Sequence, residues 1–229
     1  MNRNKAAERR SYLCEVRATN SEQQENESII DGRPIVYGVR TDLGYFDEII
    51  DAGALDMTDL TDVRFLVNHD LSKIPLARSR NNNMNSTMRL TKVPEGLDIT
   101  ARIDTKNNAD AAALDSAVKR GDISGMSFMF FIDGERWEDL DSEHPTRHIT
   151  AISKVVEVSA VTFPAYEATE IYARSNEALE SARQTLESAR EQRAKETTPA
   201  TDNTAATAAR ELELAKAKLE FFTGGKTNV

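Results

Sequence analysis

Gly121-Asp122-Ile123-Ser124-Gly125-Met126-Ser127-Phe128-Met129-Phe130 is the stretch on which the reading of this chain turns. Ahead of it, Asn108 to Arg120 reads as a short amphipathic helix, with Ala111, Leu114 and Val118 on one face and Gly121 as its stop. After the glycine, apolar residues recur at the period of a strand. Met126, Phe128, Phe130 and Ile132 then share a face with Ser124, while Gly125, Ser127, Met129 and Phe131 share the other. The first set makes the better core, so Ser127 stands on the face turned away from it. Gly125 beside it leaves room for another backbone to approach. Ser124 competes with Ser127 as a candidate nucleophile. The plain alternative is that Ser127 is a small polar residue on a strand surface.

A serine hydroxyl is a weak nucleophile until a base takes its proton, and histidine is tuned for that near neutral pH. Phe65-Leu66-Val67-Asn68-His69-Asp70 reads as a strand ending on a histidine. Val155-Val156-Glu157-Val158-Ser159-Ala160-Val161 sets a carboxylate inside an apolar strand. His69, Ser127 and Glu157 thus offer base, nucleophile and acidic orienter, a set defined by geometry and roles rather than chain order. Simpler readings stand beside it: His69 as a surface histidine in a turn, and Glu157 as a solvent-facing carboxylate or a partner of Lys154. Asp70 is a weaker orienter, because neighbouring strand residues point apart. His144 and His148 are alternative third members. Pro145 between them disfavours one helix, and with no cysteine nearby no metal site is expected there. Cys14 lacks a helix start or glycine turn to activate it and reads as a buried structural thiol.

The other segments build a sheet protein around these three. Strands are expected at Ser11 to Arg17, Ile35 to Val39, Tyr45 to Ile50, Val63 to Asn68 and from Pro75 onward. Thr87 to Thr91 and Gly96 to Ile103 form a hairpin, and His148 to Val161 returns as one or two strands. Residues 1–10 read as a flexible N-terminus, and Thr19 to Ser28 as a flexible loop. The pattern predicts an α+β fold over residues 11–175, a mainly antiparallel β-barrel or sandwich decorated by helices. From Asn176 the character changes. Leu179, Ala182, Leu186 and Ala189 recur at helical spacing, a polar linker covers 197–207, and Leu212, Ala215, Leu219 and Phe222 make a second stripe. A C-terminal helical tail over 176–229 is therefore expected.

Composition narrows the partners. With 39% hydrophobic and only 6% aromatic residues among 229, the chain is lean for one globule, which suits a tail outside the core. A net charge of −9 argues against a nucleic-acid backbone as partner. A single cysteine excludes an intramolecular disulfide and fits a reducing compartment. No apolar run approaches a membrane span, and the basic N-terminus lacks the apolar stretch of a secretory signal. A soluble intracellular protein without cofactor is expected.

Four pieces in order carry a family resemblance: Ile49 to Leu55, Leu66 to Asp70, Gly121 to Phe128, and Glu157 to Ala165. Over roughly residues 11–175 the chain resembles the prohead serine proteases of tailed phages, the capsid maturation proteases. That family looks related in fold to the herpesvirus assembly proteases, a β-barrel surrounded by helices and often active as a dimer. The resemblance implies that His69 is the base, Ser127 the nucleophile and Glu157 the acidic member; the herpesvirus relatives use a second histidine instead. Where many members read Ser-Phe-Gly-Phe, this chain has the bulkier Met129 in Ser127-Phe128-Met129-Phe130. The implied substrates are the scaffold protein, or a scaffold-like segment of the capsid protein, and the protease itself. The implied setting is the immature capsid in the host cytoplasm. Two rival readings need none of these residues: a non-enzymatic scaffold or assembly chaperone, and a β-barrel binding module.

Overall fold

The structure, a computed structural model, describes residues 7–14, 16–21, 26–163 and 176–197. Along them run β1 (Glu8–Leu13), β2 (Arg17–Asn20), β3 (Glu27–Val36), β4 (Thr41–Asp42), β5 (Asp47–Ile50), β6 (Val63–Val67) and β7 (Ala77–Ser79). There follow β8 (Met88–Val93), β9 (Gly96–Asp104), α1 (Ala109–Arg120), β10 (Gly125–Glu138), β11 (Thr146–Val161) and α2 (Asn176–Thr197).

Two sheets form. One has seven strands in the order β1-β10-β11-β5-β4, with β6 also on β11 and β7 on β6. The other has four, in the order β2-β3-β9-β8. The expected barrel does not form: both sheets are open, with β1, β4 and β7 as edges of the first and β2 and β8 of the second. Strand length is the reason. β11 has 16 residues, and at about 3.3 Å per residue it is long enough to serve two neighbours in succession. Its Thr146–Ile149 end pairs in parallel with β5, and its Glu157–Ala160 end pairs in parallel with β6. The sheet therefore branches at β11 instead of curling back to β1.

Local chemistry explains the elements that carry the site. The Asn108 side chain caps α1 by accepting the amides of Asp110 and Ala111, and Gly121 ends it at φ 79°. Ala111, Leu114 and Val118 are its buried face, as the spacing predicts. The chain then enters β10, whose Met126, Phe128, Phe130 and Ile132 join the main core. The rings of Phe128 and Phe130 stack at 4.5 Å, a pairing worth about 0.5–1.5 kcal/mol beyond burial. Residues from both sheets and α1 meet in that core. The hairpin of β8 and β9 demands glycine at Gly96, where φ is 150° and a Cβ would sit 1.9 Å from the Ile35 carbonyl oxygen.

Two further expectations change. Glu8 to Arg10, expected as loose chain, belong to β1, where the charges of Glu8 and Arg10 pair with Arg147 and Glu48. Glu27 and Ser28, expected in a flexible loop, open the 10-residue β3. Its polar Asp31-Gly32-Arg33-Pro34 run hides the alternation, and a register shift between Gly32 and Ile35 accommodates it. The expected helix after Asn176 is α2. The linker at 197–207, beyond Thr197, and the second helical stripe lie outside the described residues. The chain divides into compact units of residues 1–186 and 187–229, and both sheets belong to the first. Among the described residues no helix is long and apolar enough to cross a membrane.

Candidate active site

Three adjacent strands assemble the site. On one side β11 pairs with β10, setting Ser159 opposite Ser127 and Glu157 opposite Met129. On its other side β6 sets Leu66 opposite Ser159. Residues opposite one another project to the same face, so Ser127, Glu157 and Ser159 share the face that Met126, Phe128 and Val158 leave for the core.

His69 reaches this face through a turn immediately after β6. Asn68 and His69 both take left-handed conformations, at φ 50° and 58°. Such a residue costs roughly 1–2 kcal/mol, less for asparagine, and persists where its surroundings impose it. Here they do. The Asn68 amide donates to the Ala160 carbonyl at 2.9 Å. Its side chain donates to Thr162 Oγ1 at 3.0 Å and accepts the Thr162 amide at 2.9 Å. The His69 amide donates to Ser159 Oγ at 3.1 Å.

So held, the imidazole bridges the other two side chains. His69 Nε2 lies 2.5 Å from Ser127 Oγ and Nδ1 lies 2.6 Å from Glu157 Oε1. The Ser159 hydroxyl donates to Glu157 Oε2 at 2.6 Å. The bonds run Ser127–His69–Glu157–Ser159 and return to the His69 backbone. Every member is shielded from water: Ser127 and Glu157 are 0% exposed and the His69 side chain 7%. Buried polar groups stripped of water need such partners.

Ser127 has a second partner. Its Oγ is 2.7 Å from the carbonyl oxygen of Arg10 in β1. A hydroxyl has one proton, so the bond to Arg10 and the bond to His69 Nε2 compete for it. Base catalysis needs the proton on the path to Nε2, with Nδ1–H donated to Glu157.

The same strand brings charges inside. Arg10 and Ser11 project to opposite faces of β1, and Arg10 passes 5.8 Å from the Phe130 ring to reach the buried Glu48, bonding Oε2 at 2.8 Å. Arg147, also buried, meets Glu48 at 3.1 Å, Glu8 at 3.0 Å and Glu135 at 2.8 Å. Arg10 also pairs with Glu8 at 2.5 Å. Burial pushes the Glu8 carboxyl up, but Arg10 and Arg147 outweigh it and hold the group below its ordinary value.

The rival candidates lie elsewhere. Ser124 is exposed and precedes β10; its carbonyl accepts the Cys14 amide at 3.3 Å. Cys14 is half-buried, and burial pushes its thiol up. Asp70 is exposed and turns onto Ser72, whose hydroxyl it binds at 2.6 Å. Lys154 pairs with Asp59 at 2.8 Å instead of Glu157. His148 sits nine residues from Glu157 along β11, about 30 Å of strand, with Asp51 at 2.7 Å and Glu138 at 3.1 Å. His144 meets Asp47 at 3.2 Å. With Asp42 these two are the one group among the described residues whose three ligand atoms lie within 4.8 Å. Arg40 already occupies Asp47 at 2.6 Å.

Three parts of the site escaped the sequence reading: Ser159, Asn68 and the Arg10 carbonyl. Ser159 carried a signal, since a residue two beyond Glu157 on a strand faces the same way. Asn68 carried a fainter one, as asparagine tolerates the left-handed region. The Arg10 carbonyl carried none.

Comparison with known proteins sets this geometry in a family. No curated protein matches the chain. Among solved structures, the bacteriophage T4 capsid assembly protease, gp21, aligns at 14% identity and a TM-score of 0.35, covering 67% of this chain and 98% of that one. Residues 14–184 match the family model described as caudovirus prohead serine protease, a span that contains His69, Ser127 and Glu157. The chain belongs to the caudovirus prohead serine protease family.

Proposed function

We propose that this chain is a serine endopeptidase of prohead maturation that cleaves the scaffold protein, or a scaffold-like segment of the capsid protein, and itself. Family membership supports a maturation peptidase. The observation that carries the serine mechanism is the bond path Ser127–His69–Glu157 within the matched span. Ser127 Oγ attacks the scissile carbonyl carbon while His69 Nε2 takes its proton. The same proton passes to the leaving amine as the carbon–nitrogen bond breaks, giving an acyl-enzyme. Water, deprotonated by His69, then releases the acid and restores Ser127. Glu157 holds the imidazole with Nδ1–H toward Oε1, the tautomer that leaves Nε2 free to accept.

Confinement within the immature capsid, in the host cytoplasm, raises the effective concentration of enzyme and substrate. We read residues 11–175, together with the Glu8 to Arg10 start of β1, as the protease domain and 176–229 as a tail that recruits it to scaffold helices, with self-cleavage in the 197–207 linker. The working unit on this reading is a homodimer. Kinship in fold with the herpesvirus assembly proteases is what the family resemblance implies, and the sheets here are open.

The test is to express wild type and Ser127→Ala beside the capsid protein and sequence the N-termini of the fragments. Wild type should process the capsid or scaffold protein and Ser127→Ala should not, while Ser124→Ala retains activity. Identical products, or full-length protein in both, would overturn the assignment.

A further inference from the structure

Ser127 has no surface open to water, yet a peptide bond has to reach it. The group in the way is β1. It lies antiparallel on β10 with Ser11 directly opposite Ser127, and its Arg10 carbonyl takes the bond from Ser127 Oγ. β1 is an edge strand, paired only with β10, and it precedes the family-matched span, which begins at Cys14. An extended peptide adding to a sheet edge gains its affinity from main-chain bonds and its specificity from alternate side chains. β1 makes both kinds of contact. Its alternate residues Glu8 and Arg10 enter the protein, Arg10 onto Glu48 and Glu8 onto Arg147.

We infer that the β10 edge beside Ser127 is a docking surface for an extended peptide that carries a carboxylate and a guanidinium two residues apart, and that β1 is its exchangeable occupant. This rests on Ser127 as the nucleophile only for its catalytic consequence; the docking itself does not need it. The charge balance supports exchange. β1 contributes one negative and one positive side chain, so its departure leaves the net charge of the cluster unchanged. It leaves Glu48 to receive a guanidinium and Arg147 to receive a carboxylate. Both are anchored in interior strands: Arg147 lies on β11, and Glu48 pairs with it from β5. An incoming strand with the same spacing satisfies them in the same way, and a strand with like charges leaves a buried charge unpaired, which is costly. While β1 is seated, its carbonyl competes for the Ser127 proton and its backbone fills the edge, so the site is held closed until a matching strand takes its place.

The experiment is fluorescence anisotropy of a labelled synthetic peptide with the sequence of residues 7–13, titrated with the full chain. Wild type, whose own strand competes, should bind it weakly. Arg10→Ala, which loosens that strand, should bind it at least tenfold more tightly. The same peptide carrying Arg10→Glu should bind the Arg10→Ala chain at least tenfold more weakly. Equal binding by wild type and Arg10→Ala, or equal binding of both peptides, would overturn the inference. Glu8→Ala loosens the strand independently and should behave as Arg10→Ala does. If both variants unfold, β1 is a fixed part of the fold and the inference falls. Fluorophosphonate labelling of Ser127 runs in parallel and should be faster in Arg10→Ala than in wild type. Charge-dependent peptide binding without labelling in any chain keeps the docking surface and removes the protease reading. Labelling at the same rate in all chains, without peptide binding, does the reverse.

Discussion

The large sheet buries polar groups on both faces of β10, and it does so in two ways. On one face His69, Glu157 and Ser159 close a ring of hydrogen bonds, with Ser127 joined to it at His69 Nε2, supplied by β10, β11 and the turn after β6. On the other, Glu8, Arg10, Glu48, Arg147 and Glu135 form a cluster of full charges. The ring is drawn from neighbouring strands and a turn pinned by left-handed residues, and on the proposed reading it orients His69 toward Ser127. The cluster depends for two of its five members on an edge strand. Hydrogen bonds among interior strands give precision, whereas ion pairs at an edge give attachment that another strand of the same charge pattern can reproduce.

The largest effect is expected of Glu157→Gln. The volume is kept, but the amide must present a donor where the carboxylate accepts from both His69 and Ser159. The imidazole then loses its useful tautomer, and kcat/KM should fall by about 10^4, or ~5 kcal/mol. The melting temperature should stay close to that of wild type. An unchanged rate would strip Glu157 of its role. On the other face, Glu48→Gln should leave Arg10 and Arg147 facing a neutral amide. Breaking one side of a buried ion pair costs about 3 kcal/mol, read as a lower midpoint in urea. A midpoint equal to wild type would mean that the cluster contributes attachment without stability.

The two faces also differ in how much of them could be read from sequence. The ring was legible in its main members. Alternation placed Ser127 off the core face, glycine and asparagine framed α1, and a glutamate among valines marks a carboxylate in need of a partner. The contact between His69 and Glu157 was beyond reach of periodicity, because it depends on β11 serving β10 on one side and β6 on the other. That same branching is what turned an expected barrel into open sheets. The ion cluster was not legible at all. Glu8 and Arg10 sit in a run of charges that reads as solvated chain, and their pairing with Glu48 and Arg147 accompanies an edge strand there. Local sequence reports what a residue prefers in water; it does not report the opposite charge waiting 38 residues away, as Glu48 does for Arg10.

Ser159→Ala sharpens the ring from within. Ser159 touches no reacting atom, so it is a positioning residue, holding the second oxygen of Glu157 and the His69 amide together. Leaving two buried groups with one partner fewer costs about 1–3 kcal/mol, and kcat should drop roughly 30-fold if about 2 kcal/mol of that is felt in the transition state. KM should be unchanged, and Ser159→Thr, which keeps the hydroxyl, should restore most of the rate. A loss confined to KM would place Ser159 in substrate binding instead.

The smallest effect expected is an acid response confined to β1. Glu8 is held below the ordinary carboxyl value of 4.5, burial being outweighed by Arg10 and Arg147. A carboxyl with a depressed value in the folded state stabilises the fold above its unfolded value, and that contribution fades as pH falls through the folded one. Protonating Glu8 removes one negative partner from Arg10 and Arg147 and weakens the hold on β1 without touching the main-chain bonds to β10. Hydrogen exchange of the β1 amides should therefore quicken a few-fold as pH falls below about 4.5, once corrected for the intrinsic pH dependence of exchange. The β8–β9 hairpin, which carries no part of this cluster, should keep its protection over the same interval. If both elements loosen together, the acid response is global and β1 is no more separable than the rest of the sheet. If β1 loosens alone, its attachment is set by the charge pair, as strand exchange requires.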